Sequence, residues 1–236
     1  CKIFNMTRKN NFYQAIYQEK ARNNELVYKK PDSLIHFLEH DIYKSPFLDM
    51  SSKLKILEIG CGAGSVFNQQ SNDKYQITAI DISEAAIFHA KKTSAGHINF
   101  KVMDITDFQR EPGEYDLLFD SHCLHCLTDQ TSRVNFFKNA SQLLKPGGML
   151  TLEAMVNHSR MTFDDRFTYQ DNILIENNKD IRFIPHSREL EEEVLRNGFE
   201  ICYLRVFETL KIIPDSQRSE ALASDPDVMR VMAKRK

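Results

Sequence analysis

The chain has 236 residues, 42% of them apolar, and its 31 basic against 33 acidic side chains leave a formal charge of −2. That is enough to fill the core of one α/β domain with an open sheet, too little for two ordinary domains, and it excludes a disordered tail. The charge balance argues against a binder of phosphate backbones, five cysteines are too few for a disulfide scaffold and suit a reducing cytoplasm, and no run approaches the roughly 18–20 apolar residues that cross a bilayer.

Residues 1–50 form a front piece. Tyr13 and Tyr17, close to Phe12, are four apart and so share one helical face. Leu34, Leu38 and Ile42 make a second helical stripe after Pro31, so a helical cap is expected. No charged-then-apolar leader opens the chain. With Cys at position 1, the true start is expected to lie upstream.

Five apolar runs follow, at 55–59, 75–80, 98–103, 115–119 and 149–155. Continuous rather than alternating hydrophobicity marks strands covered on both faces, as in a parallel sheet flanked by helices. Ser83 is placed to cap a helix with Ala86, Ile87 and Ala90 inward. Thr128 is placed to cap one that buries Val134, Phe137 and Leu144 before Pro146, Gly147 and Gly148 stop it. Residues 156–186 are polar apart from 173–175 and 181–184, which suit a small hairpin. Ser187 opens a third helix with Leu190, Val194 and Leu195 inward and Gly198 as its stop; the acids Glu189, Glu191, Glu192 and Glu193 read as its solvated side. The run 199–207 then leads through a loop over 209–226 to a last strand near 228–233. Strands alternating with helices imply right-handed crossovers and a doubly wound sheet.

The densest chemical signal is Glu58-Ile59-Gly60-Cys61-Gly62-Ala63-Gly64-Ser65, directly after the first run. Glycines at alternate positions let the main chain turn tightly and approach a ligand that a Cβ would exclude. Asp81 lies 21 positions after Gly60, at the end of the second run, where a carboxylate can accept from both hydroxyls of a ribose. A nucleoside-bearing ligand is therefore expected. A dinucleotide site uses Gly-x-Gly-x-x-Gly with a helix N-terminus aimed at a pyrophosphate; here the spacing is Gly-x-Gly-x-Gly and the sixth position is Ser65.

With Glu58 ahead of it, this loop resembles motif I of the class I S-adenosylmethionine-dependent methyltransferases. The resemblance continues over residues 54–155. Asp81-Ile82 is similar to that family's ribose-binding acid and the apolar residue beside the adenine. Met103-Asp104-Ile105 is similar to its third-strand end, where the carboxylate accepts from the adenine amino group and the next N–H meets the ring. Residues 116–127 resemble the fourth strand and the loop passing the methyl-donating end, and Leu144-Lys145-Pro146-Gly147-Gly148 the turn into strand five. The resemblance implies a Rossmann-like, seven-stranded, mostly parallel sheet whose last strand is antiparallel. It also implies S-adenosylmethionine as cofactor, S-adenosylhomocysteine as product, and cofactor contacts from Glu58, Gly60, Cys61, Gly62, Gly64, Asp81, Ile82, Asp104, Ile105 and Asp120.

The departures narrow the reading. Asp120-Ser121-His122-Cys123 replaces the Asn-Pro-Pro-Tyr or Asp-Pro-Pro-Tyr of base-amino methyltransferases, and Glu153 and Asn157 do not reproduce the Asp-Asn pair of magnesium-dependent catechol-type enzymes. His122-Cys123-Leu124-His125-Cys126 interleaves two metal-ligand spacings, but four ligands in five residues cannot easily surround one tetrahedral ion; no metal is expected. Cys61 reads as packing rather than nucleophile.

Methyl transfer from a sulfonium needs alignment and exclusion of water, with a base where the acceptor loses a proton. Asp120, His122 and His125 are the candidate catalytic groups, with His158 and Glu153 in reserve; His125 reads first as a structural or cofactor-lining residue and only second as a base, and His122 reads equally as facing the acceptor or as a hydrogen-bonded structural histidine. On the acceptor side, Tyr13 and Tyr17 either attract the sulfonium charge or pack the cap. Arg160, Arg166, Arg182 and Arg188 lie in or beside 156–186, where an arginine fork, with Arg166 taken as the contact, suits an acceptor's carboxylate or phosphate. The expected protein is thus a cytoplasmic methyltransferase for N or O of a small molecule, without nucleic-acid or membrane partners. Residues 1–50 are its cap, 51–236 its catalytic domain, and 156–186 an acceptor-side insert. The alternatives are a protein or RNA methyltransferase, and a nucleoside- or NAD-binding oxidoreductase or non-catalytic module.

Overall fold

In chain order the elements are α1 (Arg8–Arg22), α2 (Asp32–His36) running on as a π-helical segment Phe37–Ile42, β1 (Leu54–Ile59), β2 (Tyr75–Asp81), α3 (Glu84–Thr93), β3 (Ile98–Val102), β4 (Tyr115–Asp120), α4 (Gln130–Leu143), β5 (Leu144–Val156), β6 (Phe167–Gln170), β7 (Ile173–Glu176), β8 (Lys179–Phe183), α5 (Ser187–Arg196), β9 (Phe199–Phe207) and β10 (Asp227–Arg235). The structure, a computed structural model, describes residues 8–23, 32–70, 73–94, 96–107, 113–208, 210 and 222–236. The side chain of Phe12 and most of the expected 209–226 loop lie outside them.

Seven strands form one sheet in the order β3-β2-β1-β4-β5-β10-β9, in which only β10 runs antiparallel to its neighbours. The doubly wound sheet and its antiparallel last strand are therefore as expected. The direction of winding reverses between β1 and β4, and the crevice at such a switch point is where open α/β sheets bind ligands. Both faces are covered, which explains the unbroken apolar runs. Leu57, Ile59 and Leu118 pack with Phe136, Phe137, Leu190 and Val194 from α4 and α5 on one side. Ile56, Leu117 and Phe119 pack with Leu34, Phe37, Leu38 and Ile42 of the front segment and Ile87 and Ala90 of α3 on the other. Each fully buried leucine or phenylalanine contributes about 1.5–3 kcal/mol.

The helix ends follow the expected chemistry with two shifts of one residue. Ser83 caps α3, its hydroxyl accepting from the Ala86 N–H at 3.2 Å. Asp129 rather than Thr128 caps α4, accepting from the Ser132 N–H at 2.8 Å, where its charge also suits the helix dipole. His186 rather than Ser187 caps α5 in a box with Glu189. The inward faces differ from the apolar reading too. Val134 and Leu195 are 42% and 44% exposed, while Arg133 and Glu193 turn in and pair at 2.8 and 2.6 Å. Glu193 therefore does not belong to the solvated side of α5.

Residues 167–183 form a three-stranded antiparallel meander, β6-β7-β8, one strand more than the expected hairpin. No described helix is long and apolar enough to cross a membrane.

Candidate active site

The bend after β1 is built from beneath by Glu58. This carboxylate, 1% exposed, accepts from the Ser65 hydroxyl, from the Val66 N–H at 3.2 Å and from the Ser121 hydroxyl at 2.8 Å. It ties the loop after β1 to the loop after β4 and does not face the cavity, so it positions the site rather than touching a ligand. Gly60 and Cys61 both donate to the Ile80 carbonyl, at 2.8 and 3.0 Å. Gly60 has φ +75°, and a Cβ there would meet Cys123 Cβ at 2.9 Å; Gly62 has φ +57°, and a Cβ there would meet the Tyr17 hydroxyl at 2.5 Å. Only glycine satisfies both the left-handed backbone and the close approach.

A cavity of about 520 Å³ opens above this bend at the C-terminal ends of β1, β2, β4 and β5. Gly60, Asp81, Ile82, Asp104 and Ile105 line it, together with His122, His125, Tyr13 and Tyr17. The Asp81 carboxylate accepts from the Gly62 N–H and the Ser83 N–H, both at 2.9 Å. Burial raises its pKa, partly offset by these backbone donors. Asp104 accepts from the Thr106 N–H and hydroxyl at 2.8 and 2.7 Å.

Cys61, Gly62 and Gly64 shape the bend from outside the cavity wall. Burial pushes the Cys61 thiol well up, which keeps it an un-ionised packing group. Asp120 also stands away from the wall. Its Oδ1 accepts from the Cys123 and Leu124 N–H groups at 2.9 and 3.1 Å and so caps the short turn after β4, while its buried Oδ2 has no partner among the described residues. Burial, opposed by those two donors, pushes its pKa up to about 7.

His122, in the wall, holds a left-handed backbone at φ +66°. Its Nε2 is 2.9 Å from Glu153 Oε1. Glu153, completely buried, accepts through Oε2 from Arg230 Nε at 2.8 Å. Arg230, completely buried as well, donates to Asp41 at 2.6 Å and to the Ser33 carbonyl at 2.7 Å. Burial works to raise the Glu153 pKa, but the bond and charge of His122 and the charge of Arg230 outweigh it and hold it below the usual value. An ionised Glu153 accepts from His122 Nε2–H and so fixes the orientation of the ring.

His125 is kept neutral by burial first and by the Arg182 charge second, and its Nδ1 has no partner among the described residues. Arg133 fixes the turn that carries it by donating to the Leu124 and Leu127 carbonyls at 2.8 and 3.2 Å.

Helix α1 closes the cavity, latched through Gln14, whose carbonyl accepts from the Ser83 hydroxyl at 2.9 Å. Burial keeps both cavity tyrosines protonated. Arg166 does not join the site: it is exposed and closes on Asp164 at 2.8 Å, its own turn supplying the anion. Arg182 of β8 lines the cavity in its place. His158 bonds the Asp225 carbonyl at 2.6 Å, outside the cavity wall. The Glu153–Arg230 pair and the inward Arg133 were not read from sequence. Their signal was present all the same, since a charge inside a run buried on both faces must be paired.

Residues 56–148 match a family model described as "Methyltransferase domain". The chain is 26% identical over 141 residues to the putative methyltransferase YqeM of Bacillus subtilis, covering 58% of this chain and 55% of that protein. It is 29% identical over 118 residues to the highly reducing polyketide synthase verA of Penicillium polonicum, covering 45% of this chain and 4% of that protein. Its matches thus span about half of the first relative's length and a small fraction of the second's. In fold it is similar, at 11% identity and a TM-score of 0.65, to the Burkholderia thailandensis 1,6-didemethyltoxoflavin-N1-methyltransferase, covering 98% of this chain and 92% of that one. Residues 56–148 thus match a methyltransferase domain running from β1 into β5, within a seven-stranded sheet similar in fold to that of a methyltransferase solved with S-adenosylhomocysteine.

Proposed function

We propose that this protein binds S-adenosylmethionine in the crevice above the glycine bend and methylates a nitrogen or oxygen of a small molecule. The observation that carries the reading is Asp81, whose carboxylate is pinned by the Gly62 N–H on the rim of a cavity that also holds His122. The residues present fit the cofactor. Gly60 leaves bare main chain in the cavity wall, at a position where a Cβ has no room. Asp81 and Asp104 line the cavity, where they would accept from ribose hydroxyls and an adenine amino group, and Ile82 and Ile105 would supply apolar surface for the ring. A dinucleotide is less well served. The stretch 62–70 consists of turns, with no α-helix among the described residues between β1 and β2 to aim at a pyrophosphate.

S-adenosylmethionine, when bound, supplies a methyl group on a sulfonium, open to in-line displacement. The protein's part is alignment, exclusion of water and proton removal. His122, held by ionised Glu153, takes the acceptor's proton on Nδ1, and the resulting imidazolium is stabilised by that carboxylate. Helix α1 and the 156–186 insert supply Tyr13, Tyr17 and Arg182 to the cavity, which favours an enclosed small acceptor over a protein or RNA chain. We place the protein in the cytoplasm, in keeping with the free thiols of Cys61, Cys123, Cys126 and Cys202.

Calorimetry tests the reading. S-adenosylhomocysteine should bind and NAD should not, and Asp81→Ala should weaken the former by about 1–3 kcal/mol, the cost of a lost charge-assisted bond. Binding of NAD instead, or an Asp81→Ala affinity equal to that of the parent, overturns it.

A further inference from the structure

Two buried arginines close on carboxylates, Arg133 on Glu193 and Arg230 on Glu153 and Asp41, and a third, Arg182, is partly buried on the insert. Arg182 differs. It pairs across the meander with Leu174, which is 4% exposed, and so lies on the inner face of β7 and β8. From there it enters the cavity wall. Its Nη1 donates to the Tyr13 hydroxyl at 3.2 Å and to the Ile181 carbonyl at 2.7 Å, both neutral oxygens. A guanidinium carries five N–H donors in a planar fork and stays charged in proteins. No ion pair joins Arg182 to a carboxylate among the described residues; the ionisable groups acting on it are Cys126, Tyr13 and Tyr17. A cation partly withdrawn from water without a counter-charge is costly to keep, and the cavity that Arg182 lines is the place from which an anion can come.

We infer that Arg182 is the receptor for an oxyanion, a carboxylate or a phosphate, carried by the methyl acceptor. The inference rests on the methyltransferase reading of the cavity and adds the acceptor's chemical class to it. The acceptor's own oxyanion is favoured over the amino-acid carboxylate of the cofactor by what surrounds Arg182. It donates to Tyr13 of α1, and β8 packs against the Leu124–Cys126 turn that carries His125. An acceptor gripped there would lie beside the turn that carries His122 and His125, with Met103, Leu127 and Met155 supplying the apolar wall for its body.

The test uses the full chain saturated with S-adenosylhomocysteine. Benzoate and phenyl phosphate serve as anionic probes and benzamide as the neutral isostere, each titrated into the parent, Arg182→Gln and Arg182→Lys. At least one anion should bind the parent more tightly than benzamide, and should weaken roughly ten- to a hundredfold in Arg182→Gln. Arg182→Lys should fall between, because it keeps the charge and loses the fork. Which anion binds decides between carboxylate and phosphate. Equal binding of benzamide and both anions, or anion affinity unchanged in Arg182→Gln, overturns the inference. So does an S-adenosylhomocysteine affinity that falls about tenfold in Arg182→Gln while 5′-methylthioadenosine, which lacks the amino-acid end, binds as before. That pattern hands Arg182 to the cofactor. Failure of S-adenosylhomocysteine to bind the parent at all is a failure of the methyltransferase reading, and is separate from the anion result on the unliganded protein.

Discussion

Replacing Glu153 by Gln keeps the size of the side chain and one acceptor while deleting a charge shared by His122 at 2.9 Å and Arg230 at 2.8 Å. Removing one partner of a buried ion pair costs about 3–5 kcal/mol. Arg230 still holds Asp41 at 2.6 Å, which places the expected loss at the lower end, about 3 kcal/mol. A domain stable by about 5–15 kcal/mol survives this, so urea unfolding should show a lower midpoint with an unchanged slope. The pH dependence has a definite sign. The carboxyl is held below its usual value in the folded protein, so its stabilisation is complete above the unfolded value of roughly 4.3 and is lost as pH falls through the folded one. The gap between parent and Glu153→Gln should therefore be constant near neutrality and close in acid. A loss below about 1 kcal/mol at neutral pH, the scale of a surface pair, or a gap that persists undiminished at pH 3, would refute this account of the buried relay.

Gly62→Ala should lower S-adenosylhomocysteine affinity by about tenfold or more, the left-handed backbone alone costing roughly 1–2 kcal/mol. Adding Tyr17→Phe removes the hydroxyl that the new Cβ meets at 2.5 Å and should recover part of the loss; no recovery means that contact is not the cause. His122→Ala should reduce kcat by roughly 10²–10⁴ with cofactor affinity unchanged, whereas a fall of only a few-fold would leave alignment as the whole of catalysis. Arg133→Met strands Glu193 and frees the Leu124 and Leu127 carbonyls, at a cost of about 3–5 kcal/mol in urea unfolding. Arg133→Met combined with Glu193→Leu should be more stable than Arg133→Met, and equal stability would show that the pair is not what the single change breaks.

What could be read from the sequence follows the range of the physics involved. The strands, the glycine bend and Asp81 at the end of β2 are local, because each run is apolar for its own burial and each glycine is needed where it stands. The cap shifts from Thr128 to Asp129 and from Ser187 to His186 are decided by one residue of backbone geometry, which composition does not resolve. The inward turn of Arg133 in place of Val134 depends on Glu193, sixty positions away, and no periodicity within α4 contains that partner. Arg166 and Arg182 look alike as letters; the difference is that Asp164 sits two residues from one, while strand pairing turns the other inward opposite Leu174. Glu58 and Asp120 carry the resemblance at the right places, yet their side chains serve the loops that frame the cavity.

The position of β10 between β5 and β9 has a consequence for biosynthesis. β9 pairs in the sheet with β10 alone, so while the ribosome is still making residues 227–235, β9 has no neighbour to join and presents a bare edge. Over the same interval Glu153 and Asp41 await Arg230, the shared cation that reconciles them. The front segment can pack on β1, β4 and α3 before then, but it gains the Arg230 bonds to Asp41 and Ser33 only after β10 has slotted in, and until that insertion the edge of β9 is open to association.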